Sequence, residues 1–413
     1  MKKQLYLLTT DFPYGRGENS FIMPELPYLK EEFDITIISN SLENEQTVVL
    51  DEDIQVIHHN RNVSVLWKLW DSICFFASKD AYIELWDILK SGDNIGRCFF
   101  ESLIFFEEAR RFERFLQRNK VIDSQKEIII YNYWFTYYCL STTRLWGKES
   151  NVKIVTRAHR FDLYDEGYCG GRQPFKKQMD KKLDGVVFIA EHGRKYYLKK
   201  YGKNESDPKY RLFRLGVIPC GKKNEKDMDD NVEFLLVSCS IIIPRKRVEL
   251  IVEALSQIPD RKIRWIHFGD GPNLVDIMKL AKEKLDNKKN IRYELKGYTE
   301  TEQIMKFYEE NIVGAFITTT ESEGCPVSVQ EAMAYGIPII GTSVAEIPYM
   351  IRGNGVLLNE KPTIEEISKA IEYIFDLGPE EYEMMRQKSK KLWQENFNGE
   401  LNAKLFVEYL KQL

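Results

Sequence analysis

Short runs of apolar residues alternate along the chain with longer segments in which apolar residues recur every three or four positions. The short runs predict buried strands, and the longer periodic segments predict helices between them. In the first half, the predicted strands are 4–10, 34–39, 128–134, 153–158 and 185–190. In the second half, the pattern restarts and predicts strands at 234–240, 263–269, 291–297, 314–319 and 336–341. Strands that alternate with helices are typical of parallel α/β domains, so we predict two doubly wound sheets.

A polar stretch, CGKKNEKDMDDN at 220–231, separates these two halves and contains almost nothing to bury. We interpret it as a linker, and its carboxylates at 227–230 as a solvated charge cluster rather than a metal site. The total of 413 residues is the length of two ordinary domains. We therefore predict a first domain over 1–220 and a second over 221–398.

Composition and charge exclude several classes of protein. The net charge is −4 and the sequence pI is about 6.0, which does not indicate a nucleic-acid-binding protein. The seven cysteines are scattered and never form a CxxC pair, which favours reduced thiols over a disulfide scaffold or a zinc site. The first apolar run is interrupted at Asp11, so it predicts a strand rather than a signal peptide. We expect a cytoplasmic protein, at most peripheral at the inner membrane.

Two glutamates stand eight positions apart in ESEGCPVSVQEAMAYGIPII, at 321–340. Glu323 is predicted in the loop that leaves a buried strand, and Glu331 about one turn into the following helix, with Pro326 in its first turn. Gly324 lets backbone approach a ligand, and the N–H groups at a helix start attract anions. Two carboxylates beside an anion site suit a sugar nucleotide. The alternative is a solvated helix carboxylate and a loop cap.

The spacing Glu-x7-Glu within EGxP…EAMAxGxPII resembles the retaining family-4 glycosyltransferases of the GT-B fold, also called glycosyltransferase group 1. Further segments resemble that family in the expected order, at 7–26, 155–166, 213–217, 235–255, 266–272 and 295–308. The resemblance implies two Rossmann-like domains that face a central cleft. It also implies that the amphipathic C-terminal segment, 399–413, is a helix that packs back on the first domain.

The resemblance assigns roles to residues that fall on its motifs. Glu323 would hold hydroxyls of the transferred sugar, and Glu331 would accept hydrogen bonds from the ribose. Lys246 would neutralise the diphosphate as it leaves, and His159 would contact the donor sugar, with a structural histidine bonded to a local carbonyl as the alternative. The other implied contacts to the donor are Gly15, Gly17, Arg245, Gly269, Gly271, Tyr298, Gly324, Cys325, Pro326 and Val327.

The implied reaction is a retaining hexosyl transfer from a UDP- or GDP-sugar, without a metal ion or other cofactor. Several positions depart from the family pattern. In the phosphate grip, Ile241 stands where a second phosphate-binding arginine is usual, and Arg245 could take that role. This departure leaves open a homologue that binds without turnover. A GT-B sugar-nucleotide epimerase or an inverting transferase is the other alternative.

The acceptor is expected to bind the first half, which contains aromatic-rich helical segments at 65–76 and 98–118. Their apolar faces could simply pack on the core. Alternatively, they form an amphipathic surface for a membrane or a lipid-diphosphate-linked acceptor. Four basic side chains would assist at anionic lipid: Arg110, Arg111, Arg114 and Arg118. The family is typical of cell-surface polysaccharide synthesis, so we expect a glycan or lipid-linked acceptor.

Overall fold

The computed structural model describes residues 2–59, 65–92, 94–123, 126–168, 170–219 and 233–413. The chain forms two compact units. Unit 1 is Met1–Arg214 with Ala403–Leu413, and unit 2 is Leu215–Asn402. The predicted linker at 220–231 and its acidic cluster lie outside the described residues.

Unit 1 is built on a parallel sheet of seven strands, counted over the described residues. The strands are β1 (Lys3–Thr9), β2 (Phe33–Ser39), β3 (Gln55–His58), β4 (Ile128–Asn132), β5 (Val152–Ala158), β6 (Gly185–Phe188) and β7 (Tyr210–Leu212). Their order across the sheet is β3-β2-β1-β4-β5-β6-β7. In register, Leu7 of β1 lies between Ile37 of β2 and Tyr131 of β4.

Helices cover both faces of this sheet. They are α1 (Asn19–Ile22), α2 (Leu26–Glu32), α3 (Val65–Phe76), α4 (Lys79–Ser91), α5 (Ile95–Arg118), α6 (Tyr137–Trp146), α7 (Lys176–Asp180) and α8 (Glu191–Tyr201), together with the C-terminal helix of the chain. Alternate residues of β1 point to opposite faces. Tyr6 and Leu8 join a core with residues of α5 and α6, whereas Leu5 and Leu7 join one with Phe406 of the C-terminal helix.

Unit 2 is built on a second parallel sheet, of six strands within the part of the chain that is described. The strands are β8 (Phe234–Cys239), β9 (Ile263–Phe268), β10 (Ile291–Leu295), β11 (Ala315–Thr318), β12 (Ile339–Thr342) and β13 (Gly355–Leu358), in the order β10-β9-β8-β11-β12-β13. The remaining helices are α9 (Val248–Gln257), α10 (Leu274–Leu285), α11 (Thr301–Glu310), α12 (Val327–Ala334), α13 (Ile347–Met350), α14 (Ile364–Phe375), α15 (Pro379–Asn396) and α16 (Gly399–Lys411), the last of which continues into unit 1.

The prediction of two doubly wound α/β sheets is confirmed. In each sheet, the order of the strands reverses at one place, between β1 and β4 in unit 1 and between β8 and β11 in unit 2. Loops that leave adjacent strands on opposite sides of such a switch point diverge and leave room for a ligand. Gly15 and Gly17 follow β1, Lys246 follows β8, and Glu323 follows β11.

Candidate functional site

Two loops of unit 2, one after β8 and one after β11, are joined by a network around Arg247. The backbone of Arg247 is left-handed (φ 51°), and its buried guanidinium donates to three carbonyl oxygens. These belong to Thr319 (2.6 Å), Thr320 (3.0 Å) and Glu360 (3.0 Å). The hydroxyl of Thr319 donates back to the carbonyl of Arg247 (2.9 Å). Arg247 therefore fixes the loops at the switch point and is not available to a ligand.

This network brings together Lys246, expected to neutralise the diphosphate, and Glu323, expected to hold the transferred sugar. The ammonium of Lys246 donates to Oε1 of Glu323, and each side chain is only 14% exposed. The neighbouring Arg245 uses its carbonyl oxygen to accept the N–H of Glu321 (2.9 Å). Its guanidinium has no ion pair among the described residues, so Arg245 can offer a second cation beside this pair.

Glu331 lies in the second turn of α12 and is 4% exposed. Its carboxylate has no hydrogen-bond partner within the described ranges, and burial raises its pKa to about 7. Burial, and then the negative charge of Glu331, raise the pKa of Cys239 to about 12. Cys239 is the last residue of β8, so Glu331 lies near the end of that strand. The alternative of a solvated helix carboxylate is therefore wrong. Glu331 is a buried acceptor at the end of β8.

The pKa of Glu331 predicts a pH-dependent stability. The unfolded chain ionises this carboxyl near its ordinary value of 4.5, and the folded chain only near 7. Stability is thus lost as pH rises through this interval. We expect Glu331→Gln to raise the free energy of unfolding by about 2–3 kcal/mol above pH ~7 and to have little effect near pH ~4. Denaturant unfolding at both pH values measures the difference.

The matched control for this prediction is Glu302→Gln, which removes an exposed carboxylate from α11. It is expected to leave stability within about 0.5 kcal/mol at either pH. An equal gain from Glu331→Gln at acid and alkaline pH would contradict the assignment of a buried, ionisable carboxyl.

The loop between Glu323 and α12 contains the remaining predicted residues of this segment. Gly324 is half-buried, and the buried thiol of Cys325 accepts from the amide of Gln330 (3.2 Å). Pro326 was predicted in the first turn of the helix, but it is the N-cap residue, with extended backbone (ψ 117°). The helix therefore begins at Val327. No side chain caps this end of α12, and a helix start without a cap has N–H groups to offer an anion.

The turn at Gly269 and Gly271 supports the loop after β8. Both glycines have positive φ, +131° and +152°. A Cβ on Gly269 would lie 2.0 Å from the carbonyl oxygen of Ser240, and one on Gly271 would lie 2.4 Å from that of Ile242. The N–H of Ile242 donates to the carbonyl of Asp270 (2.7 Å). The two backbones touch, so only glycine allows the approach that sets the start of the basic loop.

Two predicted or discussed side chains of unit 2 are exposed. Tyr298 is 56% exposed and its hydroxyl donates to Glu300 (3.0 Å). Ile241, which stands at the usual arginine position, is 51% exposed. It lies between the two residues whose carbonyls contact the glycine turn, so an apolar side chain projects from the loop that holds Lys246.

In unit 1, the loop after β1 folds around Glu18, which sequence reasoning missed. The carboxylate of Glu18 is buried and accepts the N–H groups of Thr10 (3.1 Å), Asp11 (2.6 Å) and Phe12 (2.7 Å). It also accepts the indole N–H of Trp134, which follows β4. The signal available in the sequence was a glutamate directly after Gly15 and Gly17. Glu18 thus holds the loops after two adjacent strands together.

The two glycines of this loop, Gly15 and Gly17, differ in whether the structure leaves room for a side chain. The N–H of Gly15 donates to the carbonyl of Asp11 (2.9 Å), and a Cβ there would lie 2.6 Å from the Asp11 side chain. A Cβ on Gly17 would meet Asp11 at 3.6 Å, an ordinary contact. Gly15 is therefore needed for the turn, whereas Gly17 tolerates a side chain sterically.

His159 follows β5 and is buried against Trp134, with ring centroids 4.2 Å apart. Neither ring nitrogen has a hydrogen-bond partner in the part of the chain that is described. Burial, and then the charge of Arg157, hold the pKa of His159 well below its usual value. A contact with the backbone of Arg157 opposes part of this lowering of the pKa, so a histidine held by a local carbonyl remains the alternative. The neutral imidazole lies at the end of β5.

Two buried charged groups, Asp162 and Lys176, support the position of His159. The carboxylate of Asp162 accepts the backbone N–H of His159 (2.6 Å) and that of Phe135 (2.6 Å). The ammonium of Lys176 donates to the carbonyl of Phe135. Burial raises the pKa of Asp162 and lowers that of Lys176, and the charge of each partly offsets the shift of the other. Asp162 therefore joins the loops after β4 and β5.

The predicted site residues form two groups, each within its own unit. Lys246 and Glu323 are in contact in unit 2, with Arg245 next to Lys246 in the chain and Glu331 on α12. His159 belongs to unit 1, as do Gly15 and Gly17. No group of three or more His, Cys, Asp or Glu side chains in the described ranges is arranged to hold a metal ion.

Residues 222–392 match the family model described as Glycosyl transferases group 1. The chain is 26% identical over 227 residues to the Escherichia coli protein "O-antigen biosynthesis glycosyltransferase WbnH", a match that covers 54% of this chain and 60% of that protein. The matched region is thus less than two thirds of the relative's length.

Solved structures similar to this chain cover its whole length. Sucrose-phosphate synthase from Thermosynechococcus elongatus has a TM-score of 0.69 at 13% identity, over 100% of this chain and 99% of that one. Anabaena HepE in complex with UDP and glucose has a TM-score of 0.67 at 12% identity, over 100% of both chains. At these identities the likeness shows the fold alone. Residues 222–392 therefore resemble the group 1 glycosyltransferases, and the chain has the GT-B fold.

Proposed function

We propose that this protein is a retaining hexosyltransferase that uses a UDP- or GDP-sugar as donor and a glycan or lipid-linked acceptor in cell-surface polysaccharide synthesis. The observation that carries the proposal is the Lys246–Glu323 ion pair beside the buried, unpartnered Glu331 at the switch point of unit 2. The name of the E. coli relative, an O-antigen biosynthesis glycosyltransferase, supports the choice of acceptor class. The HepE structure, which holds UDP and glucose, supports a nucleotide-sugar donor.

Each charged group has a role in this proposal. Lys246 and Arg245 neutralise the diphosphate, which gains negative charge as the glycosidic bond breaks. Glu323 accepts hydrogen bonds from sugar hydroxyls once Lys246 turns to the phosphate. Glu331 accepts from the ribose hydroxyls, and these replace part of the solvation that burial removed. In unit 1, neutral His159 is proposed to contact the donor sugar.

In the proposed reaction, the acceptor hydroxyl attacks the anomeric carbon from the side of the leaving group. The bond from that carbon to the diphosphate oxygen breaks, and a bond to the acceptor oxygen forms. The proton of the acceptor hydroxyl passes to the departing diphosphate, so no side-chain base is required. The anomeric configuration of the donor is retained.

The test is binding and turnover with a panel of UDP- and GDP-sugars. A donor at about 100 times its Kd stabilises the folded protein by about 2.7 kcal/mol. We expect one nucleotide class to raise Tm, and Glu331→Gln to weaken that donor at least about tenfold by loss of charged hydrogen bonds. The control Glu302→Gln retains the wild-type shift.

Three outcomes would contradict the proposal. Binding without release of nucleoside diphosphate, in the presence of polysaccharide acceptors, would favour a binding homologue in which Ile241 has replaced the second phosphate-binding cation. Interconversion of the donor sugar without an acceptor would identify an epimerase. Absence of any shift with all donors would reject a nucleotide-sugar site.

A further inference from the structure

Helices α3 and α4 carry large apolar side chains on the side opposite their buried stripes. On α3, Leu69, Ile73 and Phe76 recur at helical spacing, and all are more than half exposed. On α4, Tyr82, Trp86 and Leu89 repeat the same spacing and are equally exposed. Trp70 and Phe100, the latter on α5, add to them. We refer to these eight side chains as the outer face. Exposed apolar side chains in this number mark an interaction surface.

The described acidic side chains of the same helices are buried or only partly exposed. Within 65–92 and 94–118, none is exposed, and each one holds a hydrogen bond or ion pair: Asp71, Asp80, Glu84, Asp87, Glu101, Glu107, Glu108 and Glu113. Glu84, for example, is fully buried between Arg172 (3.1 Å) and Gln178 (2.9 Å). The carboxylates therefore contribute to internal packing rather than to the outer surface.

The basic side chains that remain exposed on these helices have no carboxylate partner among the described residues: Lys68, Lys79, Lys90, Arg97 and Arg118. Two of them contact tryptophan rings. Lys90 lies over Trp86 (4.9 Å) and Arg118 over Trp67 (5.0 Å). The exposed surface of α3–α5 thus combines aromatic and aliphatic side chains with unneutralised positive charge.

Three of the four arginines expected from the sequence to face anionic lipid do not contribute to this charge. Arg110 is paired with Glu113 (2.9 Å), Arg111 with Glu108, and Arg114 with Asp71 (2.7 Å). These pairs join α5 to itself and to α3. Of the four, only Arg118 is exposed, so the basic residues at the surface are largely different ones.

We propose that the outer face docks on an anionic lipid bilayer. Among the described residues of α3–α5, exposed basic side chains occur without an exposed carboxylate, which suits a negatively charged lipid surface better than a protein partner of ordinary composition. Tryptophan and tyrosine prefer the boundary between lipid headgroups and acyl chains, and lysine can extend past them to the headgroups. The described part of the chain has no helix long and apolar enough to cross a membrane. Binding is therefore to the surface of the bilayer.

The test is flotation of the full-length protein with phosphatidylcholine vesicles that either contain or lack phosphatidylglycerol. We expect binding only to the anionic vesicles, and a decrease as salt is added. Each surface cation raises the partition coefficient of the protein onto anionic vesicles about fivefold. Lys90→Gln combined with Arg97→Gln should therefore lower it about 25-fold. Trp86→Ser combined with Leu89→Ser should lower it at least as much, because apolar contact is lost.

The matched control is Tyr373→Ser with Met384→Ser, which removes two equally exposed apolar side chains from unit 2. It should bind anionic vesicles like the wild type. The proposal is overturned if the wild type does not float, or if the control variant loses as much binding as the outer-face variants. A dimer of the wild type that Trp86→Ser with Leu89→Ser converts to a monomer would also overturn it, in favour of a second copy of the chain. No readout depends on sugar transfer, so failure here is distinct from failure of the proposed function.

Discussion

Replacing Lys246 with Met is expected to lower the rate of donor turnover by a factor of about 10²–10³. The ammonium of Lys246 is the charge fixed at the end of β8 by the network between the two loops, and it is paired with Glu323. A leaving diphosphate develops negative charge in the transition state, so loss of a preorganised cation acts on kcat more than on binding. Nucleoside diphosphate release, measured at saturating donor with acceptor present, gives the effect.

A control separates catalysis from folding. Lys279→Met removes an exposed lysine of α10 and should leave both Tm and turnover unchanged. Lys246→Met leaves Glu323 without its partner, so Glu323→Gln is added in a double variant. If the double variant recovers stability, the stability lost in Lys246→Met comes from the Glu323 carboxylate left without a counter-charge. Turnover is compared between Lys246→Met and the wild type only, because Glu323 is itself proposed to bind the donor sugar. A rate within about twofold of wild type for Lys246→Met would contradict the role.

Replacing Arg157 with Met is expected to lower the free energy of unfolding by about 3–5 kcal/mol and Tm by about 10 °C. Arg157 is fully buried in unit 1, and its Nη1 donates to Oε1 of Glu25 (2.6 Å). The ring of Phe406, from α16, lies over the guanidinium (4.4 Å). Removing the cation leaves Glu25 as a buried carboxylate without a counter-charge, which is the costly outcome.

The pH dependence of this variant follows from the pKa of Glu25. Burial raises that pKa, and the charge of Arg157 opposes the rise. Without Arg157 the pKa rises further, so the carboxyl takes up a proton as pH falls and the deficit in stability shrinks. The double variant Arg157→Met with Glu25→Met should recover most of the loss. The surface control is Arg211→Met. If Arg157→Met loses no more free energy of unfolding than Arg211→Met does, the assignment of a buried Arg157–Glu25 ion pair is contradicted.

The ten strands predicted from apolar runs are present, with ends that differ from the prediction by a few residues. The three strands that were missed lie at sheet edges: β3, β7 and β13. Their burial is partial, with exposed or half-buried positions in each. An edge strand pairs on one side only and needs no continuous apolar run, so its local sequence carries little signal. The central strands, covered on both faces, carry a strong one.

Some features of the site could likewise be predicted from the sequence, and others could not. The motif order was sufficient to predict the GT-B fold, which is confirmed, and a group 1 glycosyltransferase, whose family model matches residues 222–392. Retention of the anomeric configuration, the identity of the donor and the identity of the acceptor remain predictions. The sequence did not reveal that Trp134 and Glu18, 116 positions apart, would meet across β1 and β4. It also did not reveal that Arg114 would pair with Asp71 rather than face solvent.

The sequence by itself determined which segments are buried and in what order strands and helices follow, because burial and backbone preference depend on residues close together in the chain. Only the tertiary structure decided which charges are paired. Lys246 finds Glu323 across 77 positions because β8 and β11 are neighbours at the switch point. Within the described residues, the buried side chains of Glu331 and His159 make no hydrogen bond, because the packing around them places no donor or acceptor within reach. The partner of a charge depends on how distant elements pack, and local sequence does not encode it.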